Sequence, residues 1–212
     1  MSKVWLVTGA ARGLGRAISE AVLAAGDRLG AGARDPSRLA DLRRQHGDRL
    51  RTIELDVTDE AAAARAVELA RSAFGRLDVL VNNAGYGHTV PFEQMAPADF
   101  RDQVETNLFG VVNLTRAALP VMRVLRAGHI FQVSSVGGRT TTAGLSAYQA
   151  AKWAVGGFSD VLGEPPPIFL DGVVALIRLA DVTFTRHRPS DASVNDSGLC
   201  VDSRFLASRR CA

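Results

Sequence analysis

Between Val4 and about Ile177 the chain repeats one unit, a short and nearly unbroken apolar run followed by a longer amphipathic stretch. Few architectures accept that rhythm. Strands that are apolar along their whole length must be covered on both faces, and a strand, helix, strand succession returns the chain in parallel through a right-handed crossover. The expectation is therefore a doubly wound parallel α/β sheet with helices on either side. "VWLVT" (4–8) reads as the first strand and "LGRAISEAVLAAG" (14–26) as the first helix, with Ile18, Val22 and Leu23 on one face and Gly26 as its stop. "RLGAGA" (28–33) is a weak second strand, because its glycines pack little. A helix from Pro36 to Gln45, a strand over 50–57 and a helix from Asp59 to Phe74 continue the pattern. The remaining elements are a strand over 78–85 that runs into a loop, a helical region over 97–126, a strand over 129–135, a helix from Ser146 to Leu162 and a sixth strand over 173–178. A seventh strand is not legible.

At 212 residues the chain has room for one core and little more, which divides it into a domain over 1–178 and a polar, aperiodic tail over 179–212. Arginines scattered among acids leave a net charge of only +3 with no basic stripe, which argues against a nucleic-acid partner. Cys200 and Cys211 lie in the tail without metal-ligand spacing, so no metal is expected and a reducing cytoplasm is the simplest setting. The apolar run in "MSKVWLVTGAARG" is too short for a signal peptide, and no stretch approaches the roughly 20 apolar residues that span a bilayer, so no membrane partner is expected either.

In a doubly wound sheet the ligand sits beyond the carboxyl ends of the strands. The first strand ends in "TGAARGLG", where Thr8, Gly9, Arg12, Gly13, Leu14 and Gly15 lead directly into a helix. Glycines there permit a tight turn and let backbone N–H groups approach a pyrophosphate, whose charge the helix N-terminus favours. The residue at the end of the second strand selects the dinucleotide: an acid holds a ribose 2'-hydroxyl, an arginine a 2'-phosphate. Ala33 stands at the acid's place, Arg34 follows it and Arg12 lies on the same side, which favours NADP over NAD. The plain alternative for each arginine is a solvated surface charge, and Asp35 leaves NAD open. Asp56 and Val57, at the end of the third strand, are an adenine-side contact or, for the acid, a helix-starting residue.

The fourth strand ends in Asn82, Asn83, Ala84 and Gly85, and the fifth in Ser134 and Ser135. Beyond a loop rich in Gly and Thr come Tyr148 and Lys152, one of only two lysines in the chain. Residues four apart share one face of a helix, so phenol and ammonium can point into one cleft. Tyr86 and His88 either line a substrate pocket beside it or lie on the surface.

TGxxxGxG, "NNAG", the Asn of "TNLFG", a serine after the fifth strand and YxxxK together resemble the short-chain dehydrogenase/reductase family over residues 3 to about 162. The resemblance implies a Rossmann fold and an NADP-dependent oxidoreductase, a ketoreductase or alcohol dehydrogenase working on a small-molecule ketone or secondary alcohol. It also implies a homo-oligomer built through the helices at 97–126 and 146–162. By the same resemblance Tyr148 is the proton donor, Lys152 its activator and a ribose ligand, Ser135 the residue that orients the carbonyl, and Asn107 the anchor of a relay water. Ser135 rather than Ser134 takes that role because it stands thirteen residues before Tyr148. Asn83, Ala84 and Gly85 fall on the nucleotide.

Carbonyl reduction leaves charge on an oxygen, so a group beside it must give up a proton. A free tyrosine, with a pKa of about 10, is a poor partner at neutral pH in the reverse direction. An ammonium ~4 Å away at an effective dielectric of ~20 favours the phenolate by ~4 kcal/mol, about three pH units before desolvation opposes it.

After Leu162 the pattern departs from the family. Gly163 and three prolines end the helix, Leu179 and Ala180 replace the Pro-Gly that follows the sixth strand in the family, and Thr183 and Thr185 flank the usual threonine position. Two rival expectations follow: a dinucleotide-binding module that has lost turnover, or an epimerase or dehydratase that retains its cofactor.

Overall fold

The computed structural model of the chain describes residues 2–163 and the backbone of 174–177. Six strands form one parallel sheet: β1 (Val4–Thr8), β2 (Arg28–Ala33), β3 (Leu50–Glu54), β4 (Val79–Asn82), β5 (His129–Val133) and β6 (Val174–Ile177). Their order is β3-β2-β1-β4-β5-β6, so the direction of winding reverses between β1 and β4. The helices are α1 (Gly13–Ala24), α2 (Ala40–His46), α3 (Glu60–Phe74), α4 (Pro97–Val104), α5 (Gly110–Leu125) and α6 (Ser146–Gly163). This is the doubly wound fold expected from the alternation.

Each face of the sheet has its own core. Leu6, Ile53, Leu80 and Ile130 pack under α3 and α5 with Ala63, Ala66, Leu114, Ala118 and Met122. On the other face Trp5, Val7, Leu29, Ala31, Val79 and Val81 meet Val22 and Leu23 of α1 and Leu42 of α2. The weak strand finds its reason here. Gly30 faces α3, where a methyl group would stand 3.1 Å from Ala70 Cβ, and Gly32 faces the chain beyond β3, where one would stand 2.7 Å from Leu55 Cδ2. The glycines cost backbone entropy and allow these close approaches.

Four elements are shorter or more divided than their sequence suggests. β3 stops at Glu54 because the Asp56 carboxylate accepts the Thr58 N–H (3.0 Å) and hydroxyl (2.8 Å), turning the chain toward α3, which Asp59 caps through the Ala62 N–H at 3.0 Å. β5 stops at Val133 because Ser135 caps a short turn over Val136–Gly138. The helix beginning at Pro36 starts as a 3₁₀ turn, capped by Asp35, and becomes α only at Ala40. The region 97–126 is two helices joined by one π-helical turn over Glu105–Phe109.

One expectation needs correction. Pro97–Leu125 holds a window of mean hydropathy 1.4, long and apolar enough to cross a membrane by composition alone. A third of that window is buried, where α5 packs Val111, Leu114, Ala118 and Met122 against α3 and the sheet. The division at 178/179, Leu179, Ala180, Thr183, Thr185, Cys200 and Cys211 all lie outside the described residues.

Candidate active site and dinucleotide cleft

The reversal between β1 and β4 opens a crevice at the carboxyl ends of those strands, where the two chain ends are stitched together. Thr8 Oγ1 accepts the N–H groups of Asn83 and Ala84, both at 3.0 Å, and Asn83 Nδ2 donates to Thr8 O at 2.9 Å. Gly9 (φ 65°) and Gly13 (φ 54°) turn the chain from β1 into α1 through backbone conformations that other residues rarely adopt. Arg12 occupies the N-cap of α1 without a side-chain bond to its first turn, so the leading N–H groups remain available to an anion. Gly15 packs the helix onto the strand: a methyl group there would lie inside van der Waals contact of Gly9 O and Asn83 Nδ2, and 2.9 Å from the Gly9 carbonyl carbon. Backbone atoms cannot move aside as a flexible side chain does. Gly15→Ala is therefore expected to lose at least ~2 kcal/mol of stability in denaturant unfolding and to lose dinucleotide binding with it, an overpacking cost of the usual size.

A cavity of about 1320 Å³ follows the crevice, larger than the ~300–1,000 Å³ typical of small-ligand sites. Gly9, Arg12, Gly13, Leu14, Arg34, Asp56, Val57, Asn83, Ala84, Gly85, Asn107, Tyr148 and Lys152, all expected there from sequence, line it. Thr8 and Gly15 support it from below through the contacts just described, and Ser135 stands outside the lining.

At one end Arg12 and Arg34 are exposed and, among the described residues, form no ion pair. Arg16, by contrast, is held by Glu20 and Asp41, which raise its pKa and remove it from the cleft's supply of cations. Arg38, four residues after Arg34, also lines the cavity; the sequence reading missed it, although "RDPSR" places it one short turn further on. Asp35, the acid that left NAD open, accepts the Ser37 N–H (3.0 Å) and hydroxyl (2.6 Å), and these bonds hold its carboxyl below the usual range. Asp56 does not cap α3, since Asp59 does.

At the other end, α6 places Tyr148 and Lys152 on one face. Lys152 is 4% exposed, its Nζ donates to Val133 O at 2.8 Å and lies 5.8 Å from the centre of the Tyr148 ring. Among the described residues no carboxylate accompanies it, and burial pushes its pKa down to about 8, so at neutral pH it remains a cation held at a cost. Asn107 sits fully buried in the π turn; its amide accepts the Tyr86 N–H (3.1 Å) and donates to Tyr86 O (2.7 Å) and Gln103 O (2.8 Å). With both amide hydrogens committed, any water that Asn107 anchors must be held by an oxygen atom. Ser134 is buried and lines the cavity, with its hydroxyl bonded to Lys152 O at 3.3 Å. Ser135 Oγ accepts the Gly137 N–H at 3.1 Å, which leaves its own proton free to be donated. Tyr86 lines the cavity wall, while His88 is exposed and uses its backbone N–H to reach Gln103 Oε1 at 2.9 Å. Burial and the carboxylates of Asp102 and Asp99 push the Tyr86 phenol up, so it stays neutral.

Such a crevice, cationic at its outer end, glycine-turned along its floor and ending at a phenol beside a buried amine, defines a dinucleotide-binding protein of the doubly wound class. The chain belongs to the short chain dehydrogenase family, whose profile matches residues 3–165. Oxidoreductase BOA17 of Botryotinia fuckeliana is 52% identical over 165 residues, covering 77% of this chain and 60% of that protein. The 3-oxoacyl-acyl-carrier-protein reductase FabG of Salmonella typhimurium is 37% identical over 162 residues, covering 76% of this chain and 66% of that protein. The chain thus spans under two thirds of the length of these relatives. A metagenomic short-chain oxidoreductase crystallised with NADP superposes with a TM-score of 0.77 at 34% identity, over 84% of this chain and 82% of that one.

Proposed function

We propose that the protein is an NADP-dependent carbonyl reductase or alcohol dehydrogenase, interconverting a ketone and a secondary alcohol with Tyr148 as general acid and base. One observation carries the reading: a lysine buried with no carboxylate partner among the described residues stands beside a tyrosine on the wall of a dinucleotide-sized cleft. A cation so placed costs stability that its hydrogen bond to Val133 O offsets only in part, the signature of a group retained for chemistry.

The residues present fit NADP. The α1 N-terminus and the Gly9–Gly15 turn suit the pyrophosphate, Arg12 and Arg34 the 2'-phosphate, Asp56 and Val57 the adenosine side, and the Asn83–Gly85 backbone the nucleotide beyond it. Ser37 engages only Oδ1 of Asp35, which also lines the cavity, so the preference for NADP rests on the arginines. The superposable NADP complex supports the same preference. Arg34→Ala is expected to weaken NADPH binding about 10- to 100-fold in a fluorescence titration while changing NADH binding little, since a charge-assisted bond to phosphate contributes ~1.5–3 kcal/mol.

Bound NADPH would supply hydride to the carbonyl carbon. Tyr148 gives its phenolic proton to the carbonyl oxygen as charge builds there, and Ser135, outside the cavity lining but with its own hydrogen uncommitted, is assigned the bond that fixes the carbonyl's direction. Lys152, anchored on Val133 O, keeps positive charge near the phenol and presents its remaining hydrogens to the ribose. The test is direct: with a panel of ketones, the absorbance of reduced nicotinamide should fall with NADPH. Binding of NADPH without turnover on any ketone would sink the reading. Homo-oligomerisation belongs to the same proposal, since Phe109, Trp153 and Val161 expose 45%, 50% and 74% of their surfaces on the helical faces expected to pair.

A further inference from the structure

Two loops adjoin Tyr148, one through Gly87 against its ring and one just before its helix, and each is bonded by a buried glutamine. Gln103 takes the His88 N–H on one side. On the other, Gln149, the residue after Tyr148 on α6, is 8% exposed and uses both ends of its amide: Oε1 accepts the Thr142 N–H and Nε2 donates to Thr140 O, each at 2.9 Å. The backbone between Ser135 and the loop is pressed onto the same side chain, since a methyl group at Gly137 would stand 3.3 Å from Gln149 Cγ. One backbone bond, Val90 N–H to Gly144 O at 2.9 Å, joins the two loops.

Burying an amide costs stability unless its donor and acceptor are both satisfied; Gln103 leaves its Nε2 without a partner among the described residues, whereas Gln149 does not. Both are satisfied here by backbone atoms of one segment, that between the proposed carbonyl-orienting serine and the proposed proton donor. We propose that Gln149 is a positioning residue: by tying residues 140–142 to the helix that carries Tyr148, it sets the shape of the substrate mouth. Its hydrogen bonds touch nothing at the arginine end of the cleft. The consequence is a division of labour in which Gln149 governs how the carbonyl substrate enters, and leaves nucleotide affinity alone. The kinetic part of this inference rests on the reductase reading, whereas the tether does not.

Two variants of the full chain test it, Gln149→Met and Gln149→Glu, with two readouts. The first is trypsin cleavage after Arg139, an exposed residue that immediately precedes the tethered segment. Gln149→Met should be cut there about tenfold faster than wild type, as expected when bonds that close a local segment are lost. The second is steady-state kinetics, in which KM for the ketone should rise about tenfold with kcat and the Kd for NADPH within about twofold, the pattern of lost substrate positioning. Gln149→Glu adds a signature that simple packing would not produce. A protonated carboxyl accepts from Thr142 and donates to Thr140 as the amide does, whereas the carboxylate cannot donate. Its cleavage rate and KM should therefore return toward wild type as pH falls and worsen as pH rises, and this decides the matter even if Gln149→Met fails to fold. Unchanged cleavage at Arg139, a pH-independent Gln149→Glu, or KM and NADPH affinity shifting together would overturn the proposal. A wild type that turns over no ketone would remove the reductase reading and leave the cleavage experiment to decide the tether.

Discussion

Tyr148→Phe is expected to lower turnover by about 10²- to 10⁴-fold, the range contributed by a positioned general acid, with NADPH binding unchanged. The argument is local. The Tyr148 ring lines the cleft, with the backbone of Gly87 against it, close enough that a methyl group there would stand 3.3 Å from the ring. Phenylalanine preserves that packing. The hydroxyl bonds no other described side chain or backbone group, so its removal orphans no buried partner and should leave the unfolding midpoint close to wild type. The measurement is single-turnover reduction of a ketone by the NADPH-loaded variant, which separates the chemical step from binding. Activity within fivefold of wild type would show that another group delivers the proton.

Lys152→Met should lose turnover to a comparable degree, and the double variant should lose scarcely more than either single one, because residues that act as one unit are strongly non-additive. Stability provides the sharper test. Burial lowers the Lys152 pKa from 10.5 to about 8, so between those values the unfolded chain binds a proton that the folded chain does not. By linkage, stability then rises with pH across that window. Below about pH 8 the penalty for holding the cation is fully present, and at ~1.4 kcal/mol per pH unit it amounts to about 3 kcal/mol. Methionine carries no such penalty, though it leaves Val133 O without its donor, which offsets ~1–3 kcal/mol of the relief. Denaturant unfolding of both proteins at pH 7 and pH 10 should show the wild type gaining relative to the variant as pH rises. Subtracting the variant removes the other groups that titrate in that range. A difference that stays flat with pH would mean that the amine is hydrated and its charge is not under strain.

Most of the cleft was legible because its parts sit where chain order and sheet order coincide. The glycine turn follows the first strand, "NNAG" follows the fourth, and the helix periodicity alone puts Tyr148 and Lys152 on one face. Three things were hidden. Gly30 and Gly32 read as weakness because their partners, Ala70 and Leu55, lie some forty and some twenty residues away in the sequence. The π turn that buries Asn107 leaves no mark in hydrophobic spacing, and its purpose emerges only when Tyr86 and Gln103 are seen to take the amide. Ser134 and Arg38 were passed over because a neighbour of the same type, Ser135 or Arg34, filled the expected place.

The sequence by itself determined the class of fold and which residues could do chemistry, since apolar periodicity and strand-end motifs are local properties of the chain. The tertiary structure alone decided the state of those residues. Whether Lys152 is strained, whether Asp35 is free to hold a ribose and whether Gln149 can restrain a loop depend on which distant atoms fill the space and the hydrogen-bonding capacity around them. Burial and bonding partners arise from packing between elements, and no local pattern of residues specifies them.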